Sequence, residues 1–236
     1  MKKMYLIFAL ALLTLPLFAQ DKNAEVSSEV TELSEFHDVI YAIWHTAWPQ
    51  KDTKMLQELL PDIERGYLKI KTAKLPGILR DKQTKWDEGV EKLGTIFNEY
   101  QSAAAAKDSA ALLSAAEKLH SQFEILVRVV RPKLKEIDAF HQVLYMVYHY
   151  YMPEDQFDKI KEATAQLKTR SLDITKAQLS AKQKTKEEQF NKLSAELVSA
   201  VNNLDAVVSA GNDKENIRKA VETMHSKYEE LEKVFD

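Results

Sequence analysis

The chain has 236 residues, a formal net charge of −3 and no cysteine. A near-neutral balance with both signs interspersed lacks the basic footprint that nucleic-acid binding needs. The absence of thiols excludes disulfides, thiolate zinc sites, iron–sulfur clusters and covalent CxxCH haem. Only five glycines and six prolines accompany abundant Ala, Leu, Lys, Glu and Gln, a helical composition with little room for sheet turns.

The first stretch reads as an export signal. Lys2 and Lys3 form a positive region, Met4 to Leu17 is apolar, and Leu17-Phe18-Ala19 suits signal-peptidase cleavage after Ala19. Residues 1–19 are therefore set apart from the fold. Met4 to Leu17 is too short for a comfortable membrane span, and no later stretch approaches the apolar length a span requires. The expected location of the mature chain is the periplasm or the extracellular space, with no membrane span.

The remainder repeats itself. Phe36-His37 through Tyr41 and His45 to Pro49 recurs as Phe140-His141 through Tyr145 and His149 to Pro153, at an offset of about 104 residues. Ala115 to Val129, with His120-Ser121, recurs as Ala220 to Val234, with His225-Ser226. Looser matches pair Leu68 with Leu172, Leu75 with Leu179 and Trp86 with Phe190. The domain boundaries read as repeat 1 over 20–131 and repeat 2 over 132–236.

Four helices are expected per repeat. Helix 1 covers about 29–48, capped by Ser27 or Ser28 and stopped by Pro49. Helix 2 covers about 53–74 with a kink at Pro61, helix 3 about 81–106, and helix 4 about 109–130. The second set spans about 133–152, 155–180, 184–209 and 213–235, with Pro132 in the first turn of its opening helix. Leu112, Ala116, Leu119, Phe123, Leu126 and Val130 form an apolar seam, as do Ile217, Val221, Met224, Tyr228, Leu231 and Phe235. Short connections favour up-down-up-down order. The fold expectation is all-α: two tandem antiparallel four-helix bundles from an internal duplication.

All six histidines fall at matching places in the two repeats. Leu33, His37, Ile40, Trp44 and Ala47 step at core spacing, which puts His37, and His141 in the second copy, on the seam. A buried imidazole needs partners for both ring nitrogens. His37 lies roughly 15 Å from the start of helix 1 and His120 roughly 16 Å from the end of helix 4, so an antiparallel pair brings them level. Glu124 shares the face of His120, and Glu229 that of His225. His37, His120 and Glu124, and likewise His141, His225 and Glu229, form a workable set for a transition metal ion such as copper or zinc. His45 and His149 lie roughly 12 Å further along their helices, either as second sites or as surface histidines near a helix C-terminus. The bland alternative is packing: single core histidines are mostly satisfied by neighbours, and the tyrosines and tryptophans of helix 1 are mostly core.

The layout resembles the periplasmic four-helix bundles of the cytochrome b562 and cytochrome c′ type, here in tandem. The resemblance lies in each repeat's plan and in opposed ligands on helices 1 and 4. It implies non-covalent haem b held by His37 with His120 and by His141 with His225. The chain departs from the cytochromes c′ in lacking CxxCH, and from cytochrome b562 in offering a histidine where helix 1 would carry methionine. The leading expectation is an exported metal-binding protein for storage, delivery or resistance. The alternatives are a haem-binding electron carrier and a helical scaffold without ligand. No phosphate loop, GxSxG or HExxH motif points to an enzyme.

Overall fold

A computed structural model describes residues 22–211 and 213–235. The segment read as an export signal lies outside them. The described residues are helical throughout, without a strand, and no helix among them is long and apolar enough to cross a membrane. A short α1 (Lys22–Glu25) precedes α2 (Thr31–Ala42), which runs into a π-helical turn (Ile43–Ala47). Then come α3 (Thr53–Glu58), α4 (Leu60–Thr72), a 3-10 segment (Gly77–Lys82), α5 (Gln83–Ala106) and α6 (Ser109–Val130). The second half consists of α7 (Lys135–Met146) with its own π-turn (Val147–Tyr151), α8 (Phe157–Ile174), a 3-10 turn (Lys184–Lys186), α9 (Glu187–Ala210) and α10 (Lys214–Glu232).

Local chemistry sets most of the boundaries. Asp52, Asp108 and Asp213 each accept a backbone N–H in the first turn of α3, α6 and α10, satisfying donors that the helix itself leaves open. Lys107 adopts a left-handed φ of 55° at the end of α5 and turns the chain directly into α6. Pro61 sits in the first turn of α4, and the expected kink is a break between α3 and α4. The second half has no proline at that place, and α8 is continuous. Three expectations need correction. Val30, not a serine, precedes α2, and no side chain caps it. Pro132 lies in the connection before α7 rather than in its first turn. α8 ends at Ile174, leaving an extended connector where helix was expected to continue to about 180.

Two hydrophobic cores result. One gathers buried residues from Val30 to Val130, with Trp86, Tyr100, Leu119 and Phe123 at its centre. The other runs from Ile137 to Val234, with Phe140, Phe190, Leu197 and Tyr228. α5 packs along α6, α9 along α10, and α2 and α7 close each group against α4 and α8. Buried polar atoms in the first core are matched: Tyr100 Oη donates to Leu56 O at 2.8 Å and Gln122 Nε2 to Gly89 O at 2.9 Å. Tyr145, although carried by α7, is buried in the first core.

The two π-turns fall at corresponding places and carry His45 and His149. Each is closed by an i→i+5 bond, Trp48 N to Ile43 O at 2.8 Å and Met152 N to Val147 O at 2.9 Å. Single π-turns of this kind are frequent at functional sites. They enlarge the helix locally and change which side chains face α6 and α10.

Candidate functional site

The histidines occupy the face where α2 meets α6, and α7 meets α10, but not in the expected register. Phe36 and Ile43, not His37 and Trp44, take the core positions of α2, and His37 is exposed. Both readings fit the 3–4 spacing. Burying Phe36 and Ile43 removes more apolar surface from water and leaves no ring nitrogen to satisfy, so that register wins. His141 is partly buried, beside the core residue Phe140.

The depths along the helices differ as well. α2 begins at Thr31, so His37 lies only about 9 Å in, against about 15 Å from His120 to the end of α6. His120 therefore comes level with the stretch beyond His37. Its ring stacks on Trp44, centroids 4.0 Å apart and planes 6° apart. His45 is close enough for its charge to act on His120. His37 rests instead against Phe123 and Tyr41, at 5.9 and 6.4 Å. The second half repeats the pattern. Tyr148 stacks on His225 at 3.8 Å, and His149 meets His225 edge-on at 6.4 Å. His141 stacks on Tyr228 at 4.5 Å and feels the charges of both His225 and His149. His149 is thus brought against His225, at 6.4 Å, while His45 stands near enough to His120 for its charge to be felt there. The separation along α7 that seemed to divide His141 from His149 is bridged by one cleft that both line.

Glu124 and Glu229 stand one turn beyond the α6 and α10 histidines. Glu229 Oε1 is 3.5 Å from His225 Nδ1. Glu124 is near enough to favour a proton on His120, and it also reaches Arg128 at 4.0 Å. Burial dominates nonetheless and lowers the affinity of His120 and His225 for protons. His141 is pushed down to about 4 by burial, opposed by Asp81 and reinforced by His225, His149 and Lys82. His149 is pushed to about 4 by burial, then by Arg80 and His225. At neutral pH these four rings are uncharged and keep a lone pair. Among the described residues, no three His, Asp or Glu side chains already form a set of metal ligands.

Residues that sequence reasoning passed over complete the second face. The cleft of about 470 Å³ around His141, His149 and His225 is walled on its other side by Gly77 to Lys82 from the first half. Arg80 Nη1 lies 3.4 Å from His149 Nδ1, Arg80 Nη2 donates to the Tyr145 hydroxyl, and Arg80 Nε donates to Gly77 O at 3.0 Å. Tyr145 Oη also donates to Glu25 Oε2 at 3.1 Å, and burial lifts the phenol to about 12. Lys82 joins Asp81 at 3.0 Å and Glu232 at 3.3 Å. A Cβ on Gly77 would stand 1.9 Å from the Tyr145 hydroxyl, so this approach needs glycine. The sequence hint was faint: Gly77 and Arg80 have Ala181 and Lys184 as counterparts, so the connectors differ where the histidines do not.

No protein-family model, curated protein or solved structure matches this chain.

Proposed function

We propose that the chain is an exported metal-binding protein, built from two copies of one four-helix unit joined near Arg131. Each copy holds a transition metal ion, copper or zinc, between its π-turn histidine and the histidine of its last helix. The ligands are His45 and His120 with Glu124, and His149 and His225 with Glu229. His37 and His141 flank them, and water or a partner's ligand fills the remaining positions. Storage, delivery or resistance are the roles such a site serves.

One observation supports this reading most: in each half the histidine of the last helix stacks on an aromatic of the π-turn, lies near enough to the π-turn histidine to feel it, and stands one turn from a carboxylate. Burial that keeps the His120 and His225 rings unprotonated leaves each a lone pair for which protons compete weakly. Imidazole with carboxylate suits copper(II) and zinc.

The test is elemental analysis of chain purified without chelator, followed by calorimetric titration with Cu(II) and Zn(II). About two ions per chain are expected, lost in His120→Ala/His225→Ala. Metal-free protein whose melting neither ion shifts overturns the reading. A Soret band in the visible spectrum moves it to haem. A ligand-free interaction module is the second reading, favoured by Tyr41, which lies 55% exposed between His37 and His45.

A further inference from the structure

The two histidine faces are chemically unequal, and one side chain makes them so. At the second face, Arg80 Nη1 lies 3.4 Å from His149 Nδ1. A guanidinium only donates, so the contact is a hydrogen bond in the tautomer that carries its proton on Nε2, with Nδ1 as acceptor. The lone pair that would bind a metal there is already engaged. A guanidinium is also a cation facing any ion that enters this site. Repulsion between a guanidinium and a dication about 5 Å away is worth about tenfold in affinity even at water's dielectric constant. The guanidinium cannot simply swing aside, because the same side chain ties the loop together. Its Nε holds Gly77 O, its Nη2 holds the Tyr145 hydroxyl, and it lies 5.1 Å over the Tyr145 ring.

At the first face His45 is exposed, and among the described residues neither His45 nor His120 is hydrogen-bonded by arginine or lysine. Arg128 there reaches Glu124 at 4.0 Å. Lys184, the counterpart of Arg80, pairs with Glu187 at 2.6 Å in its own connector.

Resting on the metal-binding reading, we infer that Arg80 is a latch on the second site. A divalent ion reaches His45 and His120 directly, but reaches His149 and His225 only when Arg80 leaves. Loading of the second site therefore releases the Gly77–Lys82 loop from α7. The two sites fill in order, and the second ion loosens the joint between the halves. By linkage, whatever loosens that joint tightens the second site.

The experiment uses the full chain in two site-isolating backgrounds, His45→Ala/His120→Ala and His149→Ala/His225→Ala, titrated with Zn(II) and with Cu(II). The background retaining the first face is expected to bind about tenfold tighter or more. Arg80→Gln should tighten the second face by a similar factor and leave the first unchanged. Gly77→Ala, which pushes the loop away while keeping the guanidinium, should move the second face in the same direction. Independently of either variant, metal should speed amide exchange in residues 77–82 when only the second face is intact. Equal affinities, or tightening by Arg80→Gln at both faces alike, overturn the latch and leave the metal-binding reading standing. No binding in either background, with native circular dichroism, overturns both.

Discussion

Tyr41 and Tyr145 hold the same position in the two halves, four residues after one histidine and four before the next. Tyr41 is 55% exposed; Tyr145 is 1% exposed. The helices that carry them and the imidazoles beside them match. The difference comes from the segment opposite, Gly77 to Lys82, which covers Tyr145, whereas among the described residues no such segment covers Tyr41. A repeated sequence thus yields two unlike surfaces because the second copy follows the first: its histidine face became the seam between the halves, while the first copy's face stayed open to solvent.

The largest expected effect breaks that contrast directly. Tyr145→Ala should destabilise the chain by about 3–5 kcal/mol, as large aromatic truncations in cores do, and Tyr41→Ala by under about 0.5 kcal/mol. Denaturant melts of the two variants check this, and equal losses would mean that the seam contributes nothing to stability.

Acid should weaken the second half next. His141 and His149 take protons in the folded state only near pH 4, against about 6.5 when unfolded. Their depressed values mean that the unfolded chain binds more protons below about 6.5. The stability at stake is whole above that pH and is lost as pH falls through about 4. His141→Gln/His149→Gln should flatten the stability–pH curve across this window by up to about 5 kcal/mol, measured by urea midpoints at pH 7 and 4.5.

Gly77→Ala should cost about 1–2 kcal/mol, because its Cβ meets the Tyr145 hydroxyl and the Glu25 carboxylate. Ala181→Gly, the mirror change, should cost under about 1 kcal/mol, its position being exposed. Thermal melts of the pair distinguish a required glycine from a permissive one.

The smallest effect concerns Lys82. Its partners Glu232 and Asp81 outweigh burial and raise its pKa above the usual lysine value. A raised value means that its contribution is complete below about 10.5 and disappears as pH rises through the folded pKa. Lys82→Met should cost about 1 kcal/mol at pH 7, with a smaller difference from the parent above that range, seen in paired melts at pH 8 and 11.

Much of this was legible beforehand because it depends on local chemistry. Helical composition, a disturbance of the helix at Pro61 and the repeated histidine pattern can be read from residue types and spacing alone, whereas the aspartate caps at Asp52 and Asp108 emerged only with the structure. The pairing of imidazoles was harder. His37 and Phe36 both satisfy a 3–4 step, and only the free-energy difference between burying a ring nitrogen and burying a phenyl separates them. The π-turns at Ile43–Ala47 and Val147–Tyr151 have no residue signature, yet they bear the two histidines that lie beside His120 and His225. Arg80 was the least visible, since its role depends on a contact with His149 sixty-nine residues away.

The burial of Tyr145 in the first core has a consequence for any piece of the chain that ends before α7. Such a piece lacks the phenol that fills the space beside Gly77 and Glu25. A scission at Arg131 would therefore leave the amino-terminal half with an open notch where the Tyr145 ring now lies.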